Sequence, residues 1–153
     1  MRYSLVFTIF ILLFVACKKD KFTTAPQIRY KSLNPNLVNL NLTNQVMPVL
    51  TIEVTDAEGD LGLRGTDTAR IFIKNLLTGK IDSTLILPDL SGAASKNFKG
   101  DIEITFDTNI ILEGSTRPRP KTDTLFYEIY IKDFAKNKSN IINTPDPVFI
   151  KSL

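Results

Sequence analysis

A strict alternation of apolar and polar side chains is the feature that most limits how this chain can fold. In the segment VLTIEVT, residues 49–55, Leu50, Ile52 and Val54 fall on one face of an extended strand, and threonine and glutamate fall on the other. A period of two is the pattern of a β-strand that packs one face against a core. Almost no helical period appears elsewhere in the chain, so the sequence predicts an all-β protein.

Similar segments recur along the chain, and proline, glycine and other turn residues separate them. The clearest segments are QIRYKSLN at 27–34, ARIFIKNLL at 69–77, IDSTLILPDL at 81–90, DIEITFD at 101–107, LFYEIYI at 125–131 and a final strand after two prolines. About seven antiparallel strands in a chain of this length favour a two-sheet sandwich, and a small barrel is the alternative.

The segment DTLFYEI, residues 123–129, narrows the class of sandwich. The spacing of Asp123 and Tyr127 resembles the tyrosine corner of immunoglobulin-like domains, in which the phenol packs at the end of a sheet and its hydroxyl bonds to backbone upstream. Ile129 stands where antibody domains carry a cysteine, so the resemblance is to domains without a disulfide. The alternative is a strand that carries an inward-facing tyrosine and no such corner.

The chain begins MRYSLVFTIFILLFVAC, and this apolar run is too short for a membrane-spanning helix. Residues 5–16 would rise about 18 Å as a helix, against a hydrocarbon core of about 30 Å. A positive start, an apolar stretch and a small residue predict a secretory signal peptide. The segment from Phe14 to Cys17 resembles a bacterial lipobox, in which the cysteine is acylated. The alternatives are a cleaved signal that happens to contain a cysteine, and an uncleaved anchor.

These features predict three parts of the chain. Residues 1–16 are expected to be a signal peptide, residues 17–26 the lipidated Cys17 with a polar tether, and residues 27–153 one immunoglobulin-like domain. The predicted location is the cell envelope, with acyl chains on Cys17 holding the protein to the outer membrane, either in the periplasm or at the surface. Without residues 1–16 the chain has 18 cationic and 16 acidic side chains, and this near-neutral balance disfavours a nucleic-acid partner.

The composition excludes most of the common types of catalytic site. The chain has no histidine, one cysteine and no tryptophan. It therefore lacks the Ser-His-Asp triad, the Cys-His pair and the histidine ligands of catalytic zinc, and a common type of sugar-stacking platform is missing. We expect a non-catalytic protein; a glycosidase with the paired carboxylates Glu53 and Glu103 is the enzymatic alternative.

An acidic loop directly follows the alternating strand of residues 49–55. Asp56, Glu58 and Asp60 place three carboxylates within five residues, and Asp133 in a later loop is a candidate fourth member. Carboxylates packed this closely repel one another unless water, protons or a cation separates their charges, and Ca²⁺ accepts such oxygen clusters. The spacing matches the first three ligands of an EF-hand and then departs from it, so the candidate is a calcium site of another kind.

A polar turn without metal is the competing interpretation of this loop. In that case Gly59 and Gly62 serve to allow positive φ angles. The second polar loop, KDFAKNKSN at 132–140, contains side chains that commonly close turns by bonding to backbone. Its three lysines argue against a cation held by that loop alone.

Four features together resemble a known group of proteins: the lipobox, the DAEGDLG loop at 56–62, the segment FYEIYIKD at 126–133 and the proline-broken last strand. The chain is similar to small surface lipoproteins of Gram-negative bacteria of the Bacteroidetes type that have one immunoglobulin-like domain. The resemblance implies the fold and the location, and it implies no activity. The chain departs from the group at Phe134, where arginine is more frequent, and at Lys136, where glycine is.

The expected function is that of a lipid-anchored binding module whose partner is an envelope protein or a glycan. By analogy with other immunoglobulin-like domains, the loops 56–65 and 133–140 are the expected interaction surface. The alternative is a calcium- or carbohydrate-binding accessory module of a nutrient-uptake system. Tyr30, Tyr127 and Tyr130 are the side chains that could stack on a sugar.

Overall fold

The computed structural model describes residues 22–64, 67–87, 96–107 and 110–153, and these residues form twelve β-strands and no helix. The strands are β1 Gln27–Asn34, β2 Leu37–Asn39, β3 Val49–Asp56, β4 Leu63–Arg64, β5 Asp67–Thr68, β6 Arg70–Asn75, β7 Ile81–Asp82, β8 Phe98–Thr105, β9 Lys121–Leu125, β10 Tyr127–Lys132, β11 Ile142–Asn143 and β12 Val148–Ser152. The predicted signal peptide and Cys17 lie outside the described residues. Within the described ranges, no helix is long and apolar enough to cross a membrane.

The strands form three sheets and a two-stranded ribbon. The first sheet has the order β1-β3-β8, the second β11-β10-β6-β7 and the third β2-β12-β9, while β4 pairs with β5. Strands β9 and β10 are one length of chain interrupted only at Phe126, so the second and third sheets continue into each other. We call the first sheet one layer and the joined second and third sheets the other, and the described residues have the predicted all-β class.

The predicted arrangement of about seven antiparallel strands is wrong in two respects. The structure has additional short strands and divides the predicted strand at 125–131 between β9 and β10, and β2 runs parallel to β12. Prolines, which have no backbone N–H to donate to a ladder, lie between two pairs of consecutive strands. Pro35 ends β1, whose continuation joins the other layer, and Pro145 and Pro147 separate β11 from β12.

The core lies between the two layers and is built from alternate residues of each strand. On β3, Leu50, Ile52 and Val54 are fully buried, which confirms the predicted alternation. The rings of Phe106 and Tyr127 meet edge to face, with their centroids 4.9 Å apart. Because Phe106 follows β8 and Tyr127 opens β10, this contact joins the two layers.

The register of β3 distinguishes the two ends of the sandwich. At one end Thr55 pairs with Gln27 of β1, and the Ala57 amide donates to the Thr23 carbonyl at 3.1 Å. We call this the tether end, because the chain enters the domain there. The other end, where β3 begins at Val49, is the far end. An eight-residue strand separates the two ends by roughly 25 Å.

Candidate metal centre

Three carboxylates converge at the tether end. Asp56 is the last residue of β3, Asp60 lies in the following turn, and Asp133 comes directly after β10. One carboxylate oxygen of each residue lies within 4.8 Å of the others. Asp56 and Asp133 are fully buried and Asp60 is half-buried. The two layers thus bring together three of the four predicted site residues.

The turn after β3 folds the chain back on Asp56. Oδ2 of Asp56 accepts hydrogen bonds from the amides of Gly59 at 2.6 Å and Asp60 at 3.3 Å. Gly59 and Gly62 have φ angles of 68° and 100°, which confirms the predicted role of these glycines. The result is that Asp60 lies beside Asp56 across the turn.

The prediction that Glu58 joins the cluster is wrong. Glu58 is exposed and does not belong to the group of converging carboxylates. Alternate residues share a face only while the chain stays extended. The chain leaves the extended conformation at Asp56, so Glu58 lies in the turn and does not face Asp56 and Asp133 as Asp60 does.

The second loop fixes Asp133. Its two carboxylate oxygens accept from the backbone amide and the side-chain amide of Asn137, at 2.8 and 2.9 Å. This pairing confirms that polar side chains close the turn. The amide of Phe134 donates to the Asp60 carbonyl at 3.2 Å, which ties the two loops together. Lys136 has a φ of 70°, a left-handed conformation that glycine adopts more readily than lysine.

Two lysines of the second loop point away from the carboxylates. Nζ of Lys138 lies 4.0 Å from the centroid of the Tyr130 ring, and Nζ of Lys132 lies 5.4 Å from that of Phe72. Both rings are on the outer face of the second sheet, stacked 4.6 Å apart. These two lysines therefore do not neutralise the cluster. The third, Lys136, forms no ion pair with it in the described ranges, so the loop's lysines do not exclude a cation there.

The same contacts bear on the tyrosines proposed for sugar stacking. One face of Tyr130 is covered by Phe72 and the other by Lys138. Tyr127 is fully buried, and the hydroxyl of Tyr30 donates to Asp146 at 2.6 Å. Tyr127 and Tyr130 therefore offer a sugar no open ring face, and Tyr30 is half-buried against the core.

The electrostatics of the cluster are uncompensated. Oδ1 of Asp56 and Oδ1 of Asp60 are buried and have no hydrogen-bond partner among the described residues. Burial raises the pKa of Asp56 to about 6, and the neighbouring charge of Asp60 adds to the rise, although the Gly59 amide opposes it. Burial also raises the pKa of Asp133. No lysine or arginine in the described ranges forms an ion pair with these three residues.

The donor set fits a hard divalent cation. Carboxylate oxygens are the ligands that Ca²⁺ and Mg²⁺ prefer. Two oxygens on opposite sides of a Ca²⁺ ion lie about 4.8 Å apart, against about 4.2 Å for Mg²⁺. The three oxygens of the cluster lie within 4.8 Å of one another, so one such ion can contact all three.

The tyrosine corner predicted for Asp123 and Tyr127 is not formed as expected. The ring of Tyr127 is buried at the end of the sheet, as the pattern implies, but its hydroxyl has no hydrogen-bond partner among the described residues. The hydroxyl is buried, and this burial raises the pKa of Tyr127. The structure thus confirms the burial of the ring and contradicts the backbone hydrogen bond.

Asp123 has a different structural role, which the sequence did not reveal. Its buried carboxylate accepts from the Ser115 amide at 2.9 Å, from the Ser115 hydroxyl at 2.6 Å and from Arg117 at 2.8 Å, and Lys121 lies 3.3 Å away. Burial alone would raise the pKa of Asp123, but these donors hold it well below its usual range. Asp123 therefore braces the loop that precedes β9.

The carboxylates of the enzymatic alternative lie on the outer face of the first sheet. Glu53 is within 3.4 Å of both Arg29 and Lys31 and within 3.8 Å of Lys99. Glu103 is exposed on the neighbouring strand β8. Three cations around Glu53 occupy its oxygens, which is the environment of a structural ion-pair network.

No family model, curated protein or solved structure matches this chain. The function proposed below therefore rests on the chain's own residues. The cluster of Asp56, Asp60 and Asp133 is the part of the described structure whose chemistry is least satisfied by its neighbours.

Proposed function

We propose that this protein is a lipid-anchored, non-catalytic binding domain of the cell envelope whose tether end holds a calcium ion. The observation that carries the calcium assignment is the pair of buried, unpartnered oxygens, Oδ1 of Asp56 and Oδ1 of Asp60. A buried carboxylate without a partner is costly, and a bound cation removes that cost. Oxygens of Asp133 complete the protein's share of the ligands, and water or loop carbonyls supply the rest.

The immunoglobulin-like class remains part of this proposal, and the order of the strands supports it. In such domains the strands A, B and E are neighbours in one sheet and G, F and C are neighbours in the other. The first sheet here has the order β1-β3-β8, and the second has β11-β10-β6. Assigning the strands in chain order reproduces both sets of neighbours.

The lipid anchor is supported by the sequence from Phe14 to Cys17 and by the path of the tether. Thr23 is bonded to Ala57 beside the carboxylate cluster. Five residues lie between Cys17 and Thr23, and the six steps from one to the other reach at most about 20 Å when extended. In the anchored protein the calcium site therefore faces the membrane at short range, and the far end of the sandwich faces away from it.

Calcium titration of the full-length protein in detergent, after chelation, tests the metal assignment. We expect one site that prefers Ca²⁺ to Mg²⁺ and an affinity that falls at least about tenfold in Asp60→Asn, which removes one ligand charge. Glu58→Gln is the matched control, because it neutralises an exposed carboxylate of the same loop, and it should bind as the unaltered protein does. An absence of heat with an unchanged melting temperature on adding Ca²⁺ would remove the assignment.

Intact-mass analysis of protein extracted from membranes tests the anchor separately. We expect the mass of residues 17–153 plus acyl chains, and we expect Cys17→Ser to release the protein from lipid. A chain that still carries residues 1–16, or one with a bare cysteine, would refute the anchor. Either result would leave the calcium assignment to stand or fall on its own titration.

A further inference from the structure

The far end of the sandwich contains a cavity of about 330 Å³. Cavities that bind small organic ligands typically measure roughly 300–1,000 Å³, so this one is at the small end of that range. Its lining includes four apolar side chains, which are those of Leu40, Met47, Leu112 and Ile150. The cavity lies about one strand length from the carboxylate cluster, because Met47 precedes the start of β3 and Asp56 ends it.

One wall of the cavity is the inner face of the β9–β12 ladder. Lys121 pairs with Ser152, and Asp123 pairs with Ile150. Residues directly opposite in an antiparallel pair share a face, as do alternate residues along a strand. These four side chains therefore line the cavity side by side.

The adjoining loop is held rigidly against this wall. The side-chain amide of Asn75, which is fully buried, donates to the carbonyls of Ile111 and Glu113 at 3.0 and 2.8 Å. Asp123 holds the next residues through Ser115, and a Cβ added at Gly114 would overlap its carboxylate. The cavity is thus preformed, which lowers the entropic cost of binding a ligand.

Two polar groups at the cavity have no partner among the described residues. The hydroxyl of Ser152 is buried and makes no hydrogen bond. Arg119 lines the cavity and is exposed, and it forms no hydrogen bond or ion pair in the described ranges. Lys121 donates to the Ser115 carbonyl and lies 3.3 Å from Asp123, which leaves one of its three N–H donors for a ligand.

The charge around the cavity favours an anion. Two of its carboxylates are already neutralised, since Glu113 is 2.8 Å from Lys80, and Asp123 is paired with both Arg117 and Lys121. The lining itself has the cations Arg119 and Lys121 and three carboxylates, the third being Asp107; with Lys80 and Arg117, which lie outside the lining, the surroundings have four cations. The unpaired donors of Arg119 and Ser152 are therefore available to a negatively charged group.

We propose that this cavity binds a small organic carboxylate that carries a hydrocarbon group. The carboxylate lies against the cross-strand pair of Lys121 and Ser152, with Arg119 at the mouth. The hydrocarbon part packs on the apolar side chains of Leu112, Ile150 and their neighbours in the lining. This site is independent of the calcium cluster, and it gives the binding domain a ligand class at the end that faces away from the tether.

Hexanoate is a suitable probe, with hexylamine as its cationic counterpart, in an NMR titration of the full-length protein. We expect saturable shifts of amides in segments 112–123 and 148–153 with hexanoate, and at least about tenfold weaker binding of hexylamine. Ser152→Ala should weaken hexanoate binding by about threefold to tenfold, because it removes one hydrogen bond. Arg119→Gln should weaken it to a similar extent or more.

The variants are chosen so that a failure to fold does not obscure the result. Ser152→Ala removes a hydroxyl that has no partner, and Arg119 is exposed, so neither change costs the fold a hydrogen bond. Arg29→Gln, on the outer face of β1, is the control and should bind as the unaltered protein does. Equal binding of hexanoate and hexylamine, no binding of either, or affinities that both cavity variants leave unchanged would overturn the proposal.

Discussion

Replacing Asp56 by asparagine should have opposite effects on stability with and without calcium. In the metal-free protein the pKa of Asp56 is raised from 3.8 to about 6, chiefly by burial. Each pH unit is worth about 1.4 kcal/mol, so keeping this carboxylate ionised near pH 7 costs roughly 3 kcal/mol, shared with the interacting charge of Asp60. Asparagine avoids this cost and still presents an oxygen to the Gly59 amide.

The sign of the pH dependence follows from the direction of the shift. A carboxylate whose pKa is raised by folding binds its proton more tightly in the folded state than in the unfolded state. The free energy of unfolding of the metal-free protein should therefore fall as the pH rises from about 4 to about 6, and then level off. In Asp56→Asn this part of the pH dependence should be reduced.

Calcium reverses the order of the two proteins. At a hundredfold excess over its dissociation constant, a bound ion adds about 2.7 kcal/mol, which corresponds to roughly 10 °C in melting temperature for a domain of this size. In chelator near pH 7, we expect Asp56→Asn to be about 1–3 kcal/mol more stable than the unaltered protein. In a thousandfold excess of calcium, where the bound ion adds about 4.1 kcal/mol, the unaltered protein should be more stable than a variant that has lost the ion.

Thermal unfolding followed by circular dichroism, in chelator and in calcium, measures all four values. Glu103→Gln is the control, because it neutralises an exposed carboxylate on β8, and its melting temperature should track the unaltered protein in both conditions. If Asp56→Asn is less stable than the unaltered protein in both conditions and calcium changes neither, the turn is an ordinary polar turn and the reasoning is refuted.

Three further substitutions test other parts of the structure. Tyr127→Phe should leave the free energy of unfolding, measured by urea denaturation, unchanged or raise it by up to about 1 kcal/mol, because the lost hydroxyl has no partner. A lower free energy of unfolding would show that the hydrogen bond of a tyrosine corner exists. Lys136→Gly should raise the melting temperature by a few degrees, since it relieves a positive φ worth about 1 kcal/mol; a lower melting temperature would contradict this. Asp123→Asn should lower the midpoint of urea denaturation near pH 7 and reduce the fall of that midpoint below about pH 4. The reason is that the depressed pKa of Asp123 stabilises the fold above this range, and the stabilisation is lost as the carboxylate is protonated. An unchanged fall of the midpoint at acid pH would argue against the hydrogen-bond network around Asp123.

The strands of the core were predictable because a strand that buries one face has alternating apolar and polar residues in its sequence. Leu50, Ile52 and Val54 are buried as the alternation requires, and so are Ile129 and Ile131. The crossing of the chain from β1 to β2 was not predictable in this way. That crossing depends on which layer accepts the residues after Pro35, and three residues carry no periodic signal.

The carboxylate cluster was predictable only in part. Asp56 and Asp133 each follow a strongly patterned strand, and two strand ends can meet across a sandwich, which made their proximity a reasonable expectation. Whether Glu58 or Asp60 faces inward depends on where the turn begins, and a two-residue spacing holds only in extended chain. The donors of the far-end cavity come from distant segments, so the burial of Ser152 and the bracing by Asn75 left no local signal.

A crystal structure of the protein grown with calcium tests the central claim most directly. The account predicts an electron-density peak with calcium's anomalous signal, bonded at about 2.3–2.6 Å to Oδ1 of Asp56, Oδ1 of Asp60 and an oxygen of Asp133. Calcium-saturated crystals with only water among these three carboxylates, and with Asp56 protonated at a neutral pH, would contradict it.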